Sequence, residues 1–234
     1  MKNEKSLLTG RRAVVLLSGG LDSATTLYLA KKKGYKCFGL IFDYGQRHKR
    51  EIEYAKKIAR AANFPYQVLK IRLPWKGSSL LDKQTKISVK VSRCQGVKGI
   101  PDTYVPARNI IFLSFALSYA EAIKAQGIFI GAHTQDYSGY PDCRPEFYRA
   151  FSRVITTGTK SGAEKHKIRI ETPLINQNKA QIIRLAVRLG VPLELTWSCY
   201  RGGRVPCSKC DSCYYRAKGF KEAGIKDPSL RDVS

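Results

Sequence analysis

Apolar residues in the first third of the chain occur in short runs that alternate with amphipathic segments. The runs at 13–17 and 37–42 lack polar alternation, which predicts strands buried on both faces, and 66–71 has the composition of a third strand. Helical spacing follows the first two strands, at Ala24, Leu27 and Tyr28 and then at Ile52, Ala55, Ala59 and Ala62. This order predicts the first half of a doubly wound sheet.

The second half of the chain continues the same alternation. Residues 110–123 are apolar on nearly every face, which predicts a buried helix with Pro106 in its first turn. Strands are predicted at 127–131 and 167–173, and a last helix begins after a cap at Asn176 or Asn178 and ends before Gly190. The predicted fold class is therefore α/β, with a doubly wound, mostly parallel five-stranded sheet.

The chain of 234 residues suits one α/β domain with a small appendage. We predict an α/β domain at 11–195 and a cysteine-rich tail at 196–234 that packs on it. Residues 72–105 have no clear period and form a long predicted loop. It is either a lid over an active site or a disordered insertion, and the sequence does not decide between them.

The turn between the first strand and the first helix is the strongest chemical signal. It consists of Ser18, Gly19, Gly20, Leu21, Asp22 and Ser23. Two glycines allow close approach of a ligand, and the amides at a helix start favour an anion. Neither the Lys of a P-loop nor the third glycine of the dinucleotide motif is present. A plain chain-reversing turn is the alternative, but the pattern resembles the pyrophosphate loop of the ATP pyrophosphatases, and Asp22 could hold Mg²⁺ there.

Polar residues also follow the other predicted strands and open the buried helix. Because ligands of parallel sheets bind at the carboxyl ends of the strands, these residues are candidates for nucleotide or substrate contacts. Lys179 lies in the first turn of a helix, where a cation is unfavourable unless an anion is near, so we interpret it as a phosphate ligand. The candidates are Tyr44, Gln46, Arg47, His48, Arg108, Asn109, Asp136, Tyr140, Asp142 and Lys179.

Charge and hydropathy restrict the partners. Lys and Arg number 42 against 18 Asp and Glu, a formal charge of +24. This favours acidic partners, with weak non-specific RNA association as one outcome, but the basic residues are spread along the chain and also fit a solvated surface. No run of 18 apolar residues occurs, so we expect a cytoplasmic protein without membrane contact.

Four of the seven cysteines lie close together in the tail, at Cys199, Cys207, Cys210 and Cys213. An odd number of cysteines in a reducing compartment does not indicate a disulfide framework. Two Cys-x-x-Cys steps that share Cys210 fit a closed tetrahedral zinc site, which would be structural because no coordination position is open. An iron-sulfur cluster also takes four thiolates and stays an alternative.

Taken together, the motifs are similar to those of the 7-cyano-7-deazaguanine synthase family of queuosine biosynthesis, from Val14 to about Ala217 except for much of the 72–98 loop. The motifs are Ser18–Ser23, Phe42–His48, Val105–Asn109, Ser138–Arg144 and the four cysteines. One departure is Ser208, where the family usually has glycine in its cysteine cluster.

The resemblance implies a fold of the Rossmann-like adenine nucleotide α-hydrolase type and a zinc-bound ATP-dependent ligase. Such an enzyme converts 7-carboxy-7-deazaguanine and ammonia to the nitrile through adenylated intermediates, with Mg²⁺ accompanying ATP. Within its motifs we expect catalytic roles for Asp22 and Arg108, to which position in the sequence adds Asp136 and Lys179. We expect substrate contacts from Tyr44, Gln46, Arg47, His48, Arg108, Asn109, Tyr140 and Asp142. Family members are often homodimers.

Two other functions remain open at the level of sequence. A tRNA-modifying ATP pyrophosphatase would explain the charge, although no appended RNA-binding module is evident. A basic nucleotide- or RNA-binding module with a zinc tail is the non-enzymatic alternative, and ATP turnover distinguishes it from both enzymes.

Overall fold

The computed structural model describes residues 10–47, 49–75, 77–82, 84, 100–133 and 139–230. The strands in this part of the chain are β1 (Arg12–Leu16), β2 (Lys36–Asp43), β3 (Tyr66–Lys70), β4 (Gly127–Phe129) and β5 (Arg169–Glu171). They form one sheet in the order β3-β2-β1-β4-β5, and every pair is parallel. The predicted five-stranded parallel sheet is confirmed, with β4 and β5 shorter than expected.

The helices are α1 (Leu21–Lys32), α2 (Arg50–Ala61), α3 (Arg108–Ala122), α4 (Pro145–Gly158), α5 (Lys160–Ala163), α6 (Lys179–Arg188) and α7 (Asp211–Ala223). Three of them, α4, α5 and α7, were not predicted. Asn178 is the residue that caps α6, and Gln181 completes a capping box with it. In the part of the chain that is described, no helix is long and apolar enough to cross a membrane.

Both faces of the sheet are covered, as a doubly wound fold requires. Alternate residues of β1 enter different cores: Ala13 and Val15 pack with α1, α2 and α6, while Val14 and Leu16 pack with α3 and α4. All four side chains are buried. Burial on both sides explains why this strand is a continuous apolar run.

The expectation for the helix at 110–123 was wrong in two respects. Ile110 is 45% exposed and Phe115 is 41% exposed, because α3 covers one face of the sheet and nothing in the described structure covers its outer side. In addition, Pro106 precedes the helix. The helix begins at Arg108, and Ala107 before it has a positive φ of 53°.

The strand order places a candidate site. The chain proceeds outward from β1 to β2 and β3, then returns to add β4 on the other side of β1. Neighbouring strands whose connections run in opposite directions leave a crevice at their carboxyl ends, where ligands of open α/β sheets bind. Here the crevice lies between the turn after β1 and the segment after β4.

The C-terminal segment packs on the rest of the fold through its helix α7, which contacts α6. Its interior contains a buried ion pair in which the Arg216 guanidinium donates to both carboxylate oxygens of Asp227, at 2.6 and 2.9 Å. Arg216 also donates to Thr196 Oγ1 at 2.8 Å. These contacts tie α7 to the segments on either side of it.

Candidate active site and metal centre

A cavity of about 440 Å³ opens at the carboxyl ends of β1 and β4. It is bounded by the turn after β1, the segment after β2, the start of α3 and the segment after β4, all of which the sequence indicated. The tail also contributes to its wall. The candidate residues in the wall are Ser18, Gly20, Leu21, Asp22, Ser23, Tyr44, Gln46, Arg47, Arg108, Asn109, Tyr140 and Lys179.

Hydrogen bonds of its own serines fix the conformation of the turn after β1. The Ser23 hydroxyl donates to the Gly20 carbonyl at 3.0 Å and accepts the Ser18 amide at 3.2 Å. Gly19 has a φ of +82°, and a β-carbon there would collide with the backbone of α2. Gly20 caps α1 without any side-chain hydrogen bond, and the first residues of α1 line the cavity, so the helix start there leaves amides for a ligand. This is the geometry of an anion site.

Lys179, the first residue of α6, contacts this turn from the segment that follows β5. Its ammonium donates to both carboxylate oxygens of Asp22, at 2.9 and 3.0 Å, and lies 3.1 Å from His133 Nε2. Although burial acts in the opposite direction, Lys179 and His133 hold the pKa of Asp22 well below its ordinary value. The carboxylate therefore stays ionised beside a cation that faces the same cavity.

Arg108 and Tyr44 define the opposite wall. The Arg108 guanidinium forms a hydrogen bond with the Tyr44 hydroxyl. Burial raises the pKa of the Tyr44 phenol, so it remains a neutral hydroxyl. The Tyr140 hydroxyl shares a 2.5 Å hydrogen bond with Thr103 Oγ1. This wall offers a guanidinium and aromatic surfaces to a flat polar ligand.

Three candidate residues are engaged mainly with the protein. The Gln46 amide accepts the Tyr44 N–H at 2.8 Å and donates to the Phe42 carbonyl at 3.1 Å, so it shapes the turn after β2. Asn109 donates its backbone N–H to Asp142 Oδ2 and its side-chain amide to the Asp142 carbonyl, at 3.2 and 3.0 Å. Asp142 is buried outside the cavity wall. The structure thus places Asn109 and Asp142 together behind Arg108.

The sequence did not identify Glu51, which lies in the first turn of α2 and lines the cavity. Burial raises its pKa to about 7, while Arg108 acts in the opposite direction. A single histidine such as His133 is a weak signal in a sequence, yet the structure places its Nε2 near Lys179 and Asp22. A lone Glu in a charged helix and a lone His carry no local signal, and only the fold brings them to the cavity. The candidates His48 and Asp136 lie outside the described residues.

The four tail cysteines form a compact cluster. Their sulfur atoms all lie within 4.8 Å of one another. A single tetrahedral ion with metal–sulfur bonds of about 2.3 Å would bring them to about 3.8 Å. Backbone amides of Arg201 and Cys207 donate to Cys199 Sγ at 3.4 and 3.3 Å, as expected around a thiolate. The donor set and its spacing fit one metal ion, and the predicted cluster is confirmed.

The cluster and the turn after β1 are physically connected. The Trp197 amide donates to the Gly19 carbonyl at 2.9 Å. Gly219 of α7 lies against the stem of Lys179, and a β-carbon there would collide with it. The Arg50 guanidinium donates to the Gly202 carbonyl at 3.2 Å. The tail therefore supports the lysine and the turn that face the cavity.

Comparison with known sequences gives a consistent result. The family model described as queuosine biosynthesis protein QueC matches residues 12–224. A relative from Acetivibrio thermocellus, named 7-cyano-7-deazaguanine synthase, is 53% identical over 218 residues, covering 93% of this chain and 96% of the relative. One of the same name from Pseudomonas putida is 50% identical over 226 residues, covering 95% of this chain and 99% of the relative.

Solved structures share the fold at low identity. NMN synthetase from Francisella tularensis superposes with a TM-score of 0.50 and 19% identity, covering 94% of this chain and 80% of that one. A 4-thiouridine synthetase, solved in a complex with RNA and bound ATP, has a TM-score of 0.50 and 18% identity, covering 92% of this chain and 50% of that one. At such identity the likeness concerns the fold alone.

Proposed function

This chain belongs to the queuosine biosynthesis protein QueC family, and on that premise we propose that it is a 7-cyano-7-deazaguanine synthase. It would convert 7-carboxy-7-deazaguanine and ammonia to the nitrile, as an ATP-dependent carbon–nitrogen ligase. The observation that carries the proposal is the single cavity in which the anion-binding turn after β1 meets the Arg108 and Tyr44 wall.

The turn at Ser18–Ser23 would bind the β- and γ-phosphates of ATP. The start of α1 lines the cavity, and fixed amide donors of this kind would stabilise developing charge without reorganising. Lys179 and Asp22 pair with each other in the cavity wall, where the ammonium would bind phosphate oxygens of ATP and Asp22 would be a ligand for the accompanying Mg²⁺. Pyrophosphate is then the leaving group.

The chemistry needs two activations by the same site. A carboxylate oxygen of the substrate attacks the α-phosphorus, and pyrophosphate leaves. Ammonia adds to the acyl carbon and loses a proton. AMP then leaves with the carboxylate oxygen that attacked the phosphorus, which gives the amide. The amide oxygen is adenylated in turn and departs with a second AMP, while the nitrogen loses its remaining two protons and becomes the nitrile. This route needs no protein nucleophile.

We assign zinc to the four cysteines as a structural ion. Four sulfur atoms within 4.8 Å of one another support one ion rather than a cluster of several irons, whose thiolate ligands stand further apart. With four protein ligands it would contribute folding free energy and no chemistry. Metal analysis of anaerobically purified protein should give one zinc per chain, whereas stoichiometric iron and sulfide would contradict the assignment.

Location and partners remain predictions. We expect a cytoplasmic homodimer that associates weakly with RNA through its charge of +24. Such association should collapse between low and physiological salt because counterion release drives it. Tight tRNA binding that persists at high salt would support the tRNA-modifying alternative.

The proposed reaction is tested with ATP, Mg²⁺, ammonium and 7-carboxy-7-deazaguanine. Chromatography with mass detection should show the nitrile, AMP and pyrophosphate. If AMP forms in a substrate-dependent way without amide or nitrile, the adenylating chemistry stands and the product assignment is wrong. If ATP is not cleaved in the presence of this substrate, the synthase proposal is wrong.

A further inference from the structure

Glu51 is a carboxylate in the cavity wall whose acceptor capacity the protein leaves unused. Asp22, in the same wall, is paired with Lys179. Within the described part of the chain, the Glu51 carboxylate has no ion-pair partner within 4.0 Å. No hydrogen bond to this carboxylate is among the causes that shift its pKa. An ionised carboxylate accepts hydrogen bonds only, at two oxygens, and a partly buried one needs donors. A ligand that brings N–H groups would satisfy it.

Arg108 is the charged neighbour that interacts most strongly with Glu51. Its guanidinium bonds to the Tyr44 hydroxyl. Arg108 and Glu51 line the same cavity, and Arg108 favours the ionised form of Glu51 although the two form no ion pair in the described structure. The cavity wall thus presents a donor fork next to a pair of acceptor oxygens. Tyr44, Tyr140 and Tyr200 supply aromatic surface around them.

A guanine-type ring edge is complementary to this arrangement. It presents, in order, a carbonyl oxygen, a ring N–H and an exocyclic amino group. A guanidinium can donate to the carbonyl, and two carboxylate oxygens can accept from the ring N–H and the amino group. An adenine edge offers a single amino donor next to an unprotonated ring nitrogen, which matches the carboxylate less well.

We propose that Glu51 selects the substrate ring by accepting hydrogen bonds from its ring N–H and amino group, while Arg108 donates to its carbonyl. This rests on the proposed function, and assigns both residues to the deazapurine and not to ATP. The carboxylate to be activated then points away from Glu51, toward Lys179 and Asp22.

Equilibrium binding of the full-length protein tests this without requiring turnover. The probes are 7-carboxy-7-deazaguanine and its analogue without the amino group. A site built to bond an N–H rejects an analogue that lacks it, so wild type should bind the analogue about a hundredfold more weakly or worse. Glu51→Gln should bind the two within about tenfold of each other, because a carboxamide offers one acceptor oxygen and a competing donor. Glu53→Gln, an exposed position on the same helix, is the control and should match wild type.

Each outcome decides the inference. Equal binding of the two probes by wild type overturns it, as does an unchanged preference in Glu51→Gln. A rise in the KM of ATP alone would assign Glu51 to the nucleotide and also overturn it. If Glu51→Gln does not fold, Glu51→Asp, with its carboxylate withdrawn by one methylene, should retain only part of the preference. Absence of nitrile from wild type with the intact substrate counts against the proposed function, while the binding preference still decides the role of Glu51.

Discussion

The turn after β1 and the four-cysteine tail both begin from short motifs, but they acquire their function in different ways. The cysteines lie within 15 positions, 199–213, and their cluster closes locally. The turn is completed by Lys179, 157 residues from Asp22, and by His133. A local motif needs only its own backbone to form a site, whereas the proposed catalytic group depends on the whole sheet. The two regions then meet at Trp197 and Gly219, where the tail supports the turn and Lys179.

The comparison implies that damage to the tail should affect stability first. Cys210→Ser removes one of four metal ligands, and the loss of a structural metal forfeits folding free energy directly. We expect loss of bound zinc, a much lower melting temperature and low activity, because α7 no longer holds Lys179. Cys37→Ser, at a buried cysteine far from the cluster, is the control and should keep its zinc. Retention of stoichiometric zinc by Cys210→Ser would contradict the ligand assignment.

The buried ion pair in the tail provides the next largest effect. Asp227→Asn leaves the Arg216 charge without its partner in a buried site, which should lower the free energy of unfolding by about 3–5 kcal/mol. Burial opposes the shift, but Arg216 holds the pKa of Asp227 below its ordinary value of 3.8. The stabilisation is therefore present above that value and is lost as the pH falls below it.

Denaturant unfolding curves at neutral and acidic pH, which give the free energy of unfolding, check this prediction. The difference between wild type and Asp227→Asn should shrink as the medium is acidified. A difference that does not depend on pH would show that the carboxylate charge is not what stabilises the tail.

In the turn, by contrast, activity should be lost while the metal site stays intact. Asp22→Ala removes the carboxylate that positions Lys179, and misplacement of such a group costs at least about a hundredfold in rate. AMP formation should fall accordingly and zinc content should stay close to wild type, while the melting temperature should fall to some extent because Lys179 loses its partner. Glu53→Ala, an exposed acid on α2, is the matched control. An equal loss of zinc in Asp22→Ala would mean that the two regions are not separable.

The smallest expected effect comes from Ser208, and it tests whether the backbone of the tail affects stability. Ser208, between two of the cysteines, has a φ of 52°, which is unfavourable for a residue with a β-carbon. Relieving this backbone strain should stabilise the folded state by about 1–2 kcal/mol. The greater backbone freedom of glycine should stabilise the unfolded state by about 0.4–1 kcal/mol and so offset part of that gain. Ser208→Gly should therefore raise the free energy of unfolding slightly, and Ser208→Ala, which keeps the β-carbon, should not. Destabilisation by Ser208→Gly would show that the serine hydroxyl is needed.

The sequence predicted the elements whose pattern is local. The buried runs gave five parallel strands, and the cysteine spacing gave the cluster. It failed where packing decides: α3 is apolar all round but only half covered, and α4 was missed although Tyr148, Phe151 and Ile155 have helical spacing. Glu51 could not be recognised, since its role depends on Arg108, which lies 57 positions away (108 − 51). The catalytic and binding roles of the site residues stay predictions, including those of His48 and Asp136.

The most direct test of the central claim follows oxygen from the substrate into AMP. With both carboxylate oxygens of 7-carboxy-7-deazaguanine labelled with ¹⁸O, attack on the α-phosphorus at the turn after β1 requires that each AMP released carry one labelled oxygen. Mass spectrometry of the AMP and pyrophosphate should show the label in AMP and none in pyrophosphate. Unlabelled AMP alongside nitrile, or label in inorganic phosphate together with ADP, would contradict adenylation at this site.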